Sequence, residues 1–130
     1  MAIPFSKNKK DEIAEKLKEG AIISAAEIGM KKTSVDSLVA YAGISKGAFY
    51  NFFKSKDELF LEVVEDWHTE IYGTALECLI QNNGMSYKSK AAKAILQACV
   101  MMYKYSVMKF IKEDLPQLLE NIDGTELMDR

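Results

Sequence analysis

Arginine is missing from this chain until its last residue, Arg130. Bidentate guanidinium recognition of an anion or a base edge is therefore excluded upstream, and such contacts fall to lysine. Histidine occurs once, as His68 beside Trp67. No nucleophile–base pairing, carboxylate pair or glycine-rich phosphate loop accompanies it, so the expectation is a protein that is not an enzyme. The two cysteines, Cys78 and Cys99, stand apart with no CxxC and no clustered histidine. That argues against a metal site, and no cofactor is expected. Both read as small apolar residues in a reducing compartment. Only two prolines and seven glycines occur, which speaks against long disordered stretches. No apolar run reaches membrane length, and Met1 to Lys10 is short and polar, unlike a secretory leader. The expected location is the cytoplasm, with no membrane partner.

Strand patterning is also lacking, because no alternating run of β-branched residues appears. Helical periodicity runs almost throughout, so the expected fold is all-α. Net charge is −2, but it is unevenly spread. Residues 1–56 carry ten lysines against six acids, +4, and residues 57–130 carry seven basic residues against thirteen acids, −6. A basic head on an acidic body suits contact with a polyanion at one end only.

Within the basic half, Thr33 to Phe53 read TSVDSLVAYAGISKGAFYNFF. Thr33 is expected to cap a helix, with Asp36 near its positive end. Val35, Leu38, Val39 and Ala42 fall on one face. Gly43 follows, where a left-handed residue would end the helix. Ile44 is the apolar residue of the turn, and Ser45 caps a second helix starting at Lys46. This is the spacing of a helix-turn-helix, whose second helix enters the major groove of DNA. Phe49 and Phe53 read as core. Candidate DNA contacts are Thr33, Ser34, Ser45, Lys46, Gly47, Ala48, Tyr50, Asn51 and Lys56. Hydroxyls and free N–H groups at helix starts suit phosphate oxygens, and Gly47 admits a close backbone approach. Lys46 and Asn51 can read base edges, and Ala48 can touch a thymine methyl. Tyr50 is expected to donate to phosphate, with Lys56 as a phosphate clamp at the start of the fourth helix.

Gly29, the segments TSVDSL and AGISKGAFYNFF, and KSKDELF at Lys54 to Phe60 together resemble the TetR family of bacterial transcriptional regulators. The resemblance covers about a quarter of the chain. It implies a repressor that acts as a homodimer on a double-stranded operator and is released by a small molecule. Three positions depart. Ser24 and Ala25 replace a larger pair in the first helix, and Phe52 stands where relatives place His or Tyr, whose polar tip can bond phosphate.

Around this motif, Ser6 or Asn8 is expected to cap a first helix ending near Ile28. Ile13, Leu17, Ala21, Ser24 and Ile28 would line its inner face, and Gly20 is a mid-helix cost of about 1 kcal/mol. Ser55 and Glu58 form a capping box that opens a long fourth helix, stopped by Asn82-Asn83-Gly84. A fifth helix starts after Ser86 or Ser89 and runs to about Lys112. It is apolar nearly all round and is expected to be buried on most sides. Asp114 caps a short last helix with Pro116 in its first turn. The expected organisation is a three-helix head, residues 1–54, joined by the fourth helix to a ligand-binding and dimerisation body, residues 55–130. That body is small for the family, so the chain is either a naturally minimal protein or, the favoured expectation, a fragment of a longer one. Trp67, Ile71, Met101, Met102, Tyr105 and Met108 are candidates to wall a pocket for an apolar or aromatic effector. Plain core packing selects the same six. The rival functions are a helical protein-interaction module and a DNA organiser that senses nothing.

Overall fold

The computed structural model describes residues 7–81, 83–104, 107–122 and 124. Among them are seven helices: α1 (Lys7–Ile28), α2 (Val35–Ala42), α3 (Lys46–Phe52), α4 (Lys56–Ile80), α5 (Tyr87–Lys104), α6 (Val107–Glu113) and α7 (Leu115–Asn121). None is long and apolar enough to cross a membrane.

The first helix is described from Lys7, so Asn8 lies inside it and is not its cap, and Ser6 lies outside the described residues. Its buried stripe is Ile13, Leu17, Ala21 and Ala25. Ile28 is 52 % exposed, so the stripe ends one turn earlier than its spacing suggested. Gly20 has a reason to be glycine. A Cβ there would sit 2.9 Å from Cδ1 of Tyr41, so the absence of a side chain lets α2 lie against α1.

The expected cap of α2 is corrected. Thr33 is buried, and Ser34 is the N-cap, its Oγ accepting from the Ser37 N–H at 3.1 Å. The Thr33 hydroxyl instead donates to the Gly29 carbonyl at 2.9 Å and lies 2.6 Å from the Ser24 hydroxyl. A serine at position 24 is thus a polar partner rather than a poorly filled core position. Gly43 ends α2 in the left-handed region at φ +72°, and Ser45 Oγ accepts from Ala48 N–H at 3.1 Å. The turn residues therefore act where their chemistry placed them.

Ser55 caps α4 through the Glu58 N–H, and Glu58 reaches back to the Lys54 N–H at 2.8 Å. Leu59, Phe60, Leu61, Val63 and Trp67 of α4 are buried. Lys18 of α1 ties to Asp66 of α4 at 2.8 Å. Burial alone would depress that ammonium's pKa. The hydrogen bond and charge of Asp66, with Glu62 and Glu15, outweigh burial and raise it.

Helix α5 departs most from expectation. Its cap is Ser86, whose Oγ accepts from Ser89 N–H at 3.2 Å. Of α5 only Ala94 is buried, while Ile95, Leu96, Val100 and Tyr103 stand exposed, Tyr103 at 89 %. An all-round apolar helix needs neighbours on all sides. Helices α4 and α6 contact it, and no described element covers the stripe of Ile95, Leu96, Val100 and Tyr103. The single helix expected to Lys112 is described as α5 and α6, with residues 105 and 106 between them outside the described set. Helices α6 and α7 return to the head. Phe110 stacks on Phe60 with centroids 5.9 Å apart and meets Trp67 edge-on at 5.5 Å. Leu118 and Ile122 complete one continuous core with Leu17, Leu38 and Phe49.

Candidate nucleic-acid interface

The short helix α3 has two unlike sides. Phe49 is fully buried, with Phe53 beneath it at 6.0 Å between centroids. Lys46, Gly47, Tyr50 and Asn51 are exposed, and Ala48 is half-buried. Tyr50 stands edge-on to Phe49 at 5.2 Å and 88°, so a buried ring backs the exposed phenol. A Cβ on Gly47 would meet nothing within 4 Å, which leaves open space over the backbone. Phe52 is half-buried and packs against the core, so its ring is partly committed inward.

The structure places the expected contacts in three groups. Ser34, Ser45, Lys46, Gly47, Tyr50 and Asn51 are exposed around α2 and α3. Thr33 is withdrawn: it is 2 % exposed, and its N–H is also spent, on the Met30 carbonyl at 3.1 Å. Lys56 is half-buried, and its ammonium donates to the carbonyl oxygens of Met30 at 3.0 Å and Lys31 at 3.5 Å. It fastens the start of α4 to the α1–α2 link rather than standing free as a clamp. Sequence reasoning passed over Lys31, Lys32 and Lys54, which are exposed beside the starts of α2 and α4. Their signal was already in the charge count.

Lys46 lies 3.4 Å from Asp36, both side chains well exposed. Such a pair is worth about 0–1 kcal/mol, so the lysine is easily exchanged to another anion.

A second feature lies between α4 and the helices after it. An apolar cavity of about 420 Å³ is walled by Trp67, Ile71, Met102, Val107 and Phe110, with His68 and Tyr72 on its exposed side. His68 stacks on Tyr72 at 6.0 Å and 15°. Trp67, Ile71 and Met102 are where expected. Met101 is not in the wall, Met108 is 58 % exposed, and Tyr105 lies outside the described residues. Val107, Phe110 and His68 were missed, because their place depends on how α6 returns along α4.

The model of the bacterial regulatory proteins of the tetR family matches residues 17–63. Residues 17–63 are a TetR-family regulatory domain. The match runs from Leu17 of α1 to Val63 of α4 and encloses every exposed contact candidate. The TetR head is thus the part of the chain carried by the family model, and the cavity-bearing helices α5 to α7 lie beyond it. Similar proteins agree. An uncharacterised HTH-type transcriptional regulator, YdgC of Bacillus subtilis (strain 168), is 26% identical over 108 residues, 83% of this chain and 52% of that protein. The HTH-type transcriptional repressor KstR2 of Mycolicibacterium smegmatis is 31% identical over 99 residues, 71% of this chain and 47% of that protein. A second Bacillus subtilis regulator, YhgD, is 42% identical over 45 residues. The chain spans about half the length of the first two relatives.

Proposed function

We propose that this chain is a sequence-specific transcriptional repressor of the cytoplasm, binding a pseudo-palindromic operator as a homodimer. Residues 1–54 are the reading head and residues 55–130 the regulatory body. A single observation carries the reading: α3 presents Lys46, Gly47, Tyr50 and Asn51 outward from the buried anchor Phe49. One such helix covers few base pairs, so useful specificity calls for a second half-site and a second copy. The exposed stripe Ile95, Leu96, Val100 and Tyr103 of α5 is the apolar surface available to that copy. An uncharged apolar effector in the cavity would release DNA by favouring one arrangement of head and body.

The test is a gel shift on DNA flanking the coding region, repeated across salt concentrations. Lys46→Ala is expected to weaken binding and to reduce the salt slope by about 1. Asp36→Asn is expected to do the opposite, raising affinity and the slope by a fraction of that amount, because Lys46 loses its competing carboxylate. Tyr50→Phe should cost about 0.5–1.5 kcal/mol of affinity, as for one hydrogen bond. Unchanged slopes in both charge variants would remove Lys46 and Asp36 from the interface. No shift at all by the wild type would favour a protein-interaction module instead.

A further inference from the structure

Asp114 occupies the N-cap of α7 but does not cap it. Its backbone is at φ −108° and ψ −36°, and its side chain makes no bond to the helix it precedes. An N-cap aspartate ordinarily accepts from the N–H groups one or two residues into its own helix. Here Oδ1 accepts instead from the N–H of Met30, 84 residues earlier, at 3.2 Å. The residue is 8 % exposed, so this bond forms largely out of water. Helix α7 gives up a local cap for a tie to the head.

The tie is not solitary. Lys109 of α6 donates to the Ala26 carbonyl in the last turn of α1 at 2.6 Å. Lys56 holds the Met30 carbonyl at 3.0 Å. Both backbone polar groups of Met30 are therefore held by side chains from other elements. Gly29 is in the left-handed region at φ +85°, and a Cβ there would lie 3.6 Å from Asp114 Oδ1. The chain past Met30 carries Lys31 and Lys32, exposed, and then Ser34, the cap of α2.

The other side of the same segment faces the cavity. Ile111 and Leu115 line it, three residues before and one residue after Asp114, and Phe110 is beside them. Any molecule that moves Ile111 or Leu115 moves the carboxylate between them. At 3.2 Å the bond is already near the long end of its range, so a shift of a few tenths of an ångström would break it.

The geometry points to Asp114 as a positioning residue for the DNA-contacting segment Lys31–Ser34, acting through the Met30 N–H. It links occupancy of the apolar cavity to DNA affinity. The inference rests on the DNA-binding reading of the head. It differs from motion of α4 alone, because the path runs from α7 to the α1–α2 link.

The full chain serves for the test, with Nile red, an uncharged fused aromatic dye, as probe. The DNA is a 30-base-pair duplex enriched by selection with the wild type. Three quantities are read: dye affinity, DNA affinity with and without saturating dye, and hydrogen exchange at the Met30 amide. In the wild type the dye should weaken DNA binding about tenfold. It should also speed exchange at Met30 while leaving Leu38 and Phe49 unchanged. Asp114→Ala should still bind dye, lose about threefold or more in DNA affinity, and show a dye effect below about twofold. Asp114→Asn keeps an acceptor and should retain most of the dye effect. Ile122→Val, which trims the opposite end of α7 without touching the tie, should lower the melting temperature and leave the dye effect whole. A merely structural Asp114 would make Asp114→Ala behave like Ile122→Val, and that result overturns the inference. So does a wild type that binds DNA and dye independently, or one that binds no dye. A wild type that binds no DNA fails the reading of the head itself, and is recognised as such because the dye still binds.

Discussion

Phe49→Ala should abolish DNA binding by removing the floor of the reading helix. The ring is fully buried and touches both Tyr50 and Phe53. It sits in one cluster with Leu17 and Leu38, so its loss opens a hole between α1, α2 and α3. Phenylalanine-to-alanine changes at such sites cost about 3–5 kcal/mol. A whole domain is stable by only about 5–15 kcal/mol, so the variant is left marginal. Urea unfolding followed by helical circular dichroism checks the stability, and fluorescence anisotropy checks the binding. Phe49→Leu should keep most of the stability, since volume is largely conserved, while Tyr50 loses its edge-on partner. A stability loss below about 1 kcal/mol in Phe49→Ala would mean that the site collapses and that Phe49 is not the anchor.

The head was legible because its signals are local. Gly43 and Ser45 act within three residues of where they stand, so spacing alone located the turn and the second helix. Thr33 shows where local reasoning ends. Threonine and serine cap helices alike, and Thr33-Ser34 offers both in a row. What decides between them is a tertiary fact: Ser24 and the Gly29 carbonyl capture the threonine hydroxyl, so the cap falls to Ser34. Lys56 is the same lesson for charge. Its place at a helix start suggested phosphate, but two carbonyl oxygens of the α1–α2 link lie within its reach.

The body was less legible because periodicity reports which faces are apolar and not what covers them. The pattern of α5 is the pattern of a helix with neighbours all round. Among the described residues α4 and α6 contact it, and Ile95 and Leu96 remain over 60 % exposed. Asp114 was expected to cap α7 from its place before Leu115-Pro116, but its side chain makes no bond to that helix. Its carboxylate makes a bond whose two ends are 84 residues apart, and no local rule reaches that far.

Phe110→Ala should be the most damaging change in the body and should also alter what the cavity holds. Phe110 is 3 % exposed, stacked on Phe60 and edge-on to Trp67, so one ring joins α6 to the middle of α4. The expected loss is about 3 kcal/mol, at the lower end for phenylalanine, because one side of the ring borders open space rather than packed atoms. The space it leaves merges with the cavity of about 420 Å³ that the ring helps to wall. An apolar hollow lined by such side chains favours small aromatic molecules. Benzene or indole should therefore raise the melting temperature of Phe110→Ala more than that of the wild type. At a hundredfold excess over its dissociation constant, a ligand restores about 2.7 kcal/mol, nearly the whole loss. Differential scanning fluorimetry over a concentration series reads this directly. A variant that loses less than about 1 kcal/mol and gains nothing from either ligand would mean that α6 does not rest on Trp67, and that the cavity is not walled by Phe110.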